Sequence, residues 1–281
     1  MSFIAFVGSV FSPYYALARA LGGGDPDNFC ALNVALYGKA GRRWTMTERG
    51  RAQVRRSARE FVIGPSSLRW DGQALVCDIN EVGAPLPRRV QGQVRVLPQG
   101  LCRFHTGLDS AARHRWGPIA PCARIEVELD QPRVRWQGQA YLDSNEGDEP
   151  VDRAFRDWDW SRSVLADAST AVIYDVRSRV GEDRVIAQLF APDGTATAFE
   201  PPPRQRLPRS KWWLPRTMRT EAGIPARVLQ TLEDTPFYVR SVLSSGLCGE
   251  QVTSVHETLD VPRVASLPVR LMLPWRMPRR L

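Results

Sequence analysis

The sequence predicts a mainly β protein built from antiparallel sheets, with few and short helices. Period-two alternation of apolar and polar residues recurs at intervals of roughly 8 to 12 residues. The segments between these runs are rich in Gly, Pro, Asp and Asn, and only two stretches carry helix start and stop signals. This pattern fits antiparallel sandwiches or barrels and argues against a doubly wound α/β fold.

Taken in order, the N-terminal "MSFIAFVGSVFSPYY" lacks a basic leader and its apolar run breaks at Ser12-Pro13. It reads as a core strand and not as a signal peptide, which places the protein in the cytoplasm. "SPYYALARALGGG" reads as a helix with Ser12 as N-cap, Pro13 at its first position and Gly22 as its stop. "TERGRAQVRRSARE" reads as a second helix, weakened by Gly50. "SSLRWDGQALVCDINEV" reads as a hairpin turned at Asp71-Gly72, and Val90 to Val96 alternates as a strand. In "ARIEVEL", Ile125, Val127 and Leu129 alternate with Arg124, Glu126 and Glu128, as expected for one buried face. "RVRWQGQAYLD" alternates likewise, with Val134, Trp136, Gly138, Ala140 and Leu142 on one side and Tyr141 and Asp143 on the other. The polar stretch Ser144 to Arg153 is the expected seam between two β-units, 1–150 and 151–281, with a long inner loop as the alternative. Beyond it, "TAVIYDVRSRVGEDRVIAQLFAPDGTATAFEP" reads as three strands, turned at Gly181-Glu182-Asp183 and at Pro192-Asp193-Gly194.

The 281 residues, 43% hydrophobic and 24% charged, are enough for one large domain or two modest ones. No run approaches a membrane-spanning helix. Five cysteines, Cys30, Cys77, Cys102, Cys122 and Cys248, are odd in number and widely spaced, which predicts reduced, buried thiols and neither a disulfide framework nor a zinc site. A net charge of +8 calls for an anionic partner or none. The 38 Lys and Arg residues are dispersed, with no nucleic-acid-binding signature, so no nucleic acid is expected. An anionic membrane surface fits better. "LPRSKWWLPRTMR", with Trp212 and Trp213, and "RLMLPWRMPRRL", with Trp275, mix basic residues with Trp and Leu as lipid boundaries favour; loops packing their indoles on a β-core would look the same.

No nucleophile elbow or phosphate loop occurs, and His105, His114 and His256 make no metal-ligand spacing. What remains is two pairs spaced by two. His114 and Trp116 share one side of an extended segment, as do Tyr141 and Asp143. Neighbouring strands would bring an imidazole, an indole, a phenol and a carboxyl to one cavity. A satisfied core histidine and a turn-capping aspartate are the alternatives. Glu146, Asp148, Glu149 and Asp152 follow Asp143 closely; like charge and burial would raise its pKa, while full exposure would make the run a hydrated acidic loop.

At these residues the chain resembles the carotenoid 1,2-hydratases, or hydroxyneurosporene synthases, of purple phototrophic bacteria. "FVGSVFSPYYALAR", "DNFCALNVALYG", "RRWTMTERG", "PLPRRVQGQVRV", "ARHRWGPIAPCARIEVEL", "GQAYLDSNEGDEP" and "FRDWDWSR" are similar to family blocks in family order. Relatives often carry a further N-terminal stretch ahead of the block that begins here at Phe3. The resemblance implies two lipocalin-like β-units in tandem, cofactor-free hydration of the terminal C1=C2 bond of acyclic carotenoids, and peripheral attachment to the cytoplasmic side of the membrane. It also implies that His114, Trp116, Tyr141 and Asp143 are needed for activity. A mechanism that suits these residues has Asp143 protonate C2, the rings of Trp116 and Tyr141 steady the cation, and neutral His114 orient the attacking water and take its spare proton; the roles of His114 and Tyr141 can be exchanged. A non-catalytic carrier of carotenoid or lipid is the alternative function.

Overall fold

The computed structural model describes residues 1–38 and 41–281. Strand β1 (Ser2–Val7) pairs antiparallel with β2 (Cys30–Leu36), and β2 with β3 (Arg43–Arg49). The first predicted helix forms as α1 (Pro13–Ala20). The Ser12 hydroxyl accepts from the Tyr15 amide at 2.9 Å, and Pro13 stands in the first turn, where its missing N–H costs no bond. The second predicted helix does not form. Its first residues end β3, Arg51–Gln53 makes a single 3-10 turn, and β4 (Val54–Arg56) follows. Sheet pairing takes the backbone groups that a helix would have used: Glu48 N donates to Pro278 O and Gly50 N to Arg280 O.

A meander of β5 (Glu60–Ile63), β6 (Ser66–Trp70), β7 (Leu75–Val82) and β8 (Arg89–Pro98) comes next. Its β6–β7 turn lies at Asp71-Gly72, as predicted. Asp71 Oδ1 accepts from the amides of Gln73 and Ala74, and Gly72 takes a φ of +104° that a side chain would resist. β9 (Thr106–Gly107) pairs with the start of β10 (His114–Gln131), which turns at Pro132 into β11 (Arg133–Gly147). The alternation of β10 holds, with Ile125, Val127 and Leu129 buried and Arg124 and Glu128 exposed. On β11 it does not: Trp136 is exposed and Val134, Ala140 and Leu142 are only half-buried.

The short helix α2 (Val151–Ala154) leads into β12 (Phe155–Val164). The three strands predicted next are β13 (Thr170–Ser178), β14 (Arg184–Phe190) and β15 (Ala196–Ala198). A hairpin of β16 (Arg204–Leu207) and β17 (Arg216–Arg219) precedes β18 (Arg227–Asp234), β19 (Tyr238–Leu247) and β20 (Glu250–Asp260). The chain closes with α3 (Val261–Ala265), α4 (Leu267–Arg276) and β21 (Arg279–Arg280), the last lying parallel to β3. All five cysteines are free; Cys30, Cys77 and Cys122 are buried, Cys102 is partly so, and Cys248, at the β19–β20 turn, is exposed against expectation.

Two compact units form. One takes Met1–Leu97, Arg124–Gln139 and Leu267–Leu281; the other takes Pro98–Ala123 and Ala140–Ser266. The first contains the sheet β1-β2-β3-β21 and the meander β4 to β8. The second is organised on a seven-stranded antiparallel sheet ordered β15-β14-β13-β12-β20-β19-β18. The mainly β, antiparallel class is as expected; each sheet of the described residues is an open path, and none closes into a barrel.

Period-two sidedness gives the seven-stranded sheet two unlike faces. Registered across it on one face are Tyr174 of β13, Trp160 of β12, Glu257 of β20 and Arg240 of β19, with Trp158 and Arg162 beside them on β12. The other face carries Asp157, Asp159, Asp175, Arg177, His256 and Thr258.

Candidate active site

Trp116, Tyr141 and Asp143 form one hydrogen-bonded group in the second unit. Trp116 sits near the start of β10 with no solvent exposure, and its indole Nε1 donates to Asp143 Oδ2 at 2.9 Å. The Tyr141 hydroxyl donates to the same oxygen at 3.1 Å. Both donors therefore grip Oδ2, and Oδ1 takes no hydrogen bond from a described residue.

An aromatic shell surrounds the group. The Trp116 ring meets Phe104, Tyr174 and Phe190 at centroid distances of 5.9, 5.7 and 6.2 Å, and Tyr141 packs on Trp160 at 5.4 Å. This wall removes water from the carboxyl on several sides. Burial accordingly raises the Asp143 pKa to about 6, with the charge of Glu257 adding to it and the two hydrogen bonds opposing it. Burial and the nearby Asp143 charge also push the Tyr141 phenol well above its usual range, so it stays a proton-bearing donor. Arg162 lies over the Tyr141 ring, 5.6 Å from its centroid, and burial lowers its pKa. Tyr141, Asp143, Arg162 and Glu257 all remain partly open.

The acidic neighbours of Asp143 play no part in that shift. Asp148 is held by Arg115 through two contacts of 2.8 Å, and Glu149 by Arg113 at 2.9 Å. Glu146 lies 3.7 Å from the same Arg115, so three of the acids that follow Asp143 are paired with arginines of the facing segment.

His114 also departs from expectation. Its Nδ1 lies 2.8 Å from Asp109 Oδ2 and its Nε2 3.0 Å from the carbonyl of Glu149. A carbonyl only accepts, so Nε2 carries a proton; Nδ1 faces a carboxylate that also accepts from the His114 amide at 2.8 Å. Both ring nitrogens thus face acceptors within the protein. For Asp109, burial is the largest influence and pushes upward, yet hydrogen bonds from the His114 ring, the His114 amide and the Arg113 amide outweigh it and hold the carboxyl below its usual range. The imidazole packs on Phe155 at 4.8 Å, and a Cβ at Gly147 would approach it to 2.9 Å. His114 staples the loop before β10 to the end of β11.

Glu257, Arg162, Trp160 and Tyr174 escaped the sequence reading. The alternation Trp158-Trp160-Arg162 in "FRDWDWSR" marks one face of a strand, and was a usable signal. Glu257 gave none, because its place beside Asp143 depends on the register of β12 with β20. Among the described residues no three His, Cys, Asp or Glu side chains converge to metal-binding geometry. A shallow cleft of about 360 Å³ in the same unit, lined by Arg204, Gln205, Thr220 and Glu221, contains none of the site residues.

Comparison with known proteins places the chain in a family. The family model described as carotenoid hydratase CrtC matches residues 3–281. The chain is 69% identical over its whole length to an acyclic carotenoid 1,2-hydratase of Rubrivivax gelatinosus, covering 70% of that protein. It is 53% identical over 99% of its length to one of Thiocapsa roseopersicina, covering 69%, and 40% identical to one of Cereibacter sphaeroides, covering 98%. No solved structure matches. A match that runs from Phe3 to the last residue, through every segment that builds the site, makes the chain a member of the carotenoid hydratase family.

Proposed function

We propose that this protein adds water across the terminal C1=C2 double bond of an acyclic carotenoid, giving the 1-hydroxy product, with Asp143 as the acid. The observation that carries the reading is a carboxyl raised to about 6 whose Oδ2 is anchored by two donors and whose Oδ1 is left for the proton. An isolated trisubstituted alkene does not hydrate near neutral pH without acid. A positioned general acid contributes about 10²–10⁴ in rate.

Proton transfer from Oδ1 to C2 leaves a tertiary cation at C1 beside a newly formed carboxylate. Trp116 and Tyr141 stabilise that carboxylate as it forms, because both bonds strengthen as charge develops on Oδ2. Trp116 is fully buried, so its part is that of a donor and not of a ring facing the cation. The partly exposed rings of Tyr141 and Trp158 are better placed for that, a contact worth about 2 kcal/mol or more when desolvated. His114 holds the hairpin ends that carry Trp116 and Asp143.

The substrate is too apolar for water, and each unit separately carries a surface suited to a peripheral lipid contact. In the first, α1 and α4 pack together. Leu267, Leu271 and Trp275 of α4 recur every four residues and stand 68, 65 and 73% exposed, while Val269 and Leu273 point inward; Leu17 of α1 and Leu21 at its C-cap are exposed too. Arg270 and Arg276 accompany this ridge. In the second, Trp212 and Trp213 are exposed between Lys211 and the buried Leu214. That tip is held rigid: Ser210 Oγ accepts from the Trp212 amide, Asp234 from the Lys211 amide, and Arg263 donates to Trp212 O at 2.7 Å. Ordered indoles beside basic residues favour an anionic interface on the cytoplasmic side. Binding to anionic vesicles is expected to exceed binding to neutral ones by at least tenfold, and equal flotation with both would count against the docking.

The function itself is tested by incubating the protein with lycopene or neurosporene in liposomes in ¹⁸O-enriched water. A tertiary alcohol carrying ¹⁸O is expected. Bound but unaltered carotenoid would make the protein a carrier.

A further inference from the structure

Protonation of C2 is half of a hydration. The water that captures the cation must lose a proton, and the histidine nearest to Asp143 in sequence has both ring nitrogens engaged. The seven-stranded sheet supplies another group. Glu257 stands directly beside Trp160 in the β12–β20 register, and Trp160 packs on the tyrosine that donates to Asp143. On its other side Glu257 is registered with Arg240, which in turn is registered with Glu233.

Arg240 fixes the carboxylate. Its Nε and Nη2 lie 2.9 and 2.7 Å from Glu257 Oε1, and the guanidinium is itself buried. Both contacts fall on Oε1, so Oε2 takes no hydrogen bond from a described residue, and the side chain is partly open. The charged and titratable groups facing this carboxylate are Arg240, Arg162, Asp143, Tyr141 and Tyr174, with Glu233 and Tyr238 beyond Arg240. Two carboxyls thus stand close together in unlike settings. One has only neutral donors and a wall of rings; the other has an arginine.

We propose that Glu257 is the general base of the hydration, accepting at Oε2 a proton from the water that attacks C1; this rests on the hydratase reading above. The step balances. Asp143 gives one proton as the C2–H bond forms and the π bond breaks, and the water oxygen bonds to C1. The oxonium then releases one proton to Glu257, leaving the neutral alcohol. Transfer of that proton from Glu257 to Asp143 through water restores both groups, and the net change is one water added.

The test uses the full chain with lycopene liposomes and sodium azide, an anion that captures a carbocation without needing a base. Glu257→Gln is expected to lower alcohol formation by roughly 10²–10⁴-fold, while azide yields a tertiary azide from the same variant. Glu257→Asp keeps the charge but draws it back by one methylene. It should lose a smaller factor and regain turnover with azide, so the test stands even if the glutamine variant does not fold. Wild-type alcohol formation by Glu257→Gln would overturn the assignment. So would a folded variant that makes neither alcohol nor azide adduct, because Glu257 would then act only through the proton on Asp143. An inactive wild type would overturn the hydratase reading itself.

Discussion

Asp143 and Asp175 belong to the same unit and are both withdrawn from water, yet their carboxyls behave in opposite ways. Asp143 is bonded only by an indole and a phenol and lies within reach of Glu257, so burial prevails and raises it to about 6. Asp175, on the far face of the seven-stranded sheet, is 2% exposed and gripped by Arg204 through bonds of 2.7 and 3.0 Å and by Arg219 at 2.8 Å, with Arg177 at 3.5 Å. Burial is again the largest single influence on it and pushes upward, but the arginines together outweigh it and hold the carboxyl below its usual range. Burial alone does not make an acid; burial with uncharged partners does. The protein keeps Asp143 reactive by giving it neutral hydrogen-bond donors where Asp175 receives arginines.

The largest expected effect tests the reactive side of this contrast. Asp143→Asn should lower ¹⁸O-alcohol formation by about 10²–10⁴-fold or more while the protein stays folded. Its stability should rise in a pH-dependent way. Because the folded pKa of Asp143 lies above the unfolded one, its favourable contribution is complete below about pH 4 and is lost as pH rises through about 6. At pH 8 the variant should exceed wild type by on the order of 1–3 kcal/mol in urea melts, and a wild type more stable than the variant at that pH would contradict the raised pKa.

Asp175→Asn should do the reverse. Removing a carboxylate clamped among arginines leaves buried positive charge unpaired and should cost about 3–5 kcal/mol of stability, with activity falling only as the fold does. The depressed pKa of Asp175 means that its contribution is present above about pH 4 and disappears as pH falls through the folded value. Urea melts of variant and wild type should therefore converge toward acid pH, and a gap that stays constant would speak against the ionic clamp.

The smallest effect sharpens the contrast within the site. Tyr141→Phe keeps the ring and deletes one of the two donors to Oδ2. The carboxylate loses support, so the falling limb of the pH–rate profile should move to higher pH, by up to about one unit. A limb that moves to lower pH would mean that the phenol acts on the proton itself.

The local physics of the fold was legible in the sequence. The Ser12 cap, the Asp71-Gly72 turn and the alternation of Ile125, Val127 and Leu129 each follow from residues close together in the chain. The failures share the opposite property. Glu48 and Arg49 looked helical until β21 arrived from the far end of the chain to pair with them. His114 looked available until Asp109 and the Glu149 carbonyl closed on it, and Asp148 looked like a source of repulsion until Arg115 covered it. Glu257 lies more than a hundred residues from Asp143, and only strand register brings the two together. Three of the four residues singled out from two spacings are joined by hydrogen bonds; how the carboxyl is tuned was not written at those spacings.

The fixing of Asp143 through one oxygen alone has a stereochemical consequence. A carboxyl anchored at Oδ2 offers its proton from a single direction, so on the proposed path C2 receives hydrogen on one prochiral face. In deuterated water that carbon becomes a CHD centre of one handedness, and a protein whose product alcohol is achiral would leave a chiral signature of its own geometry.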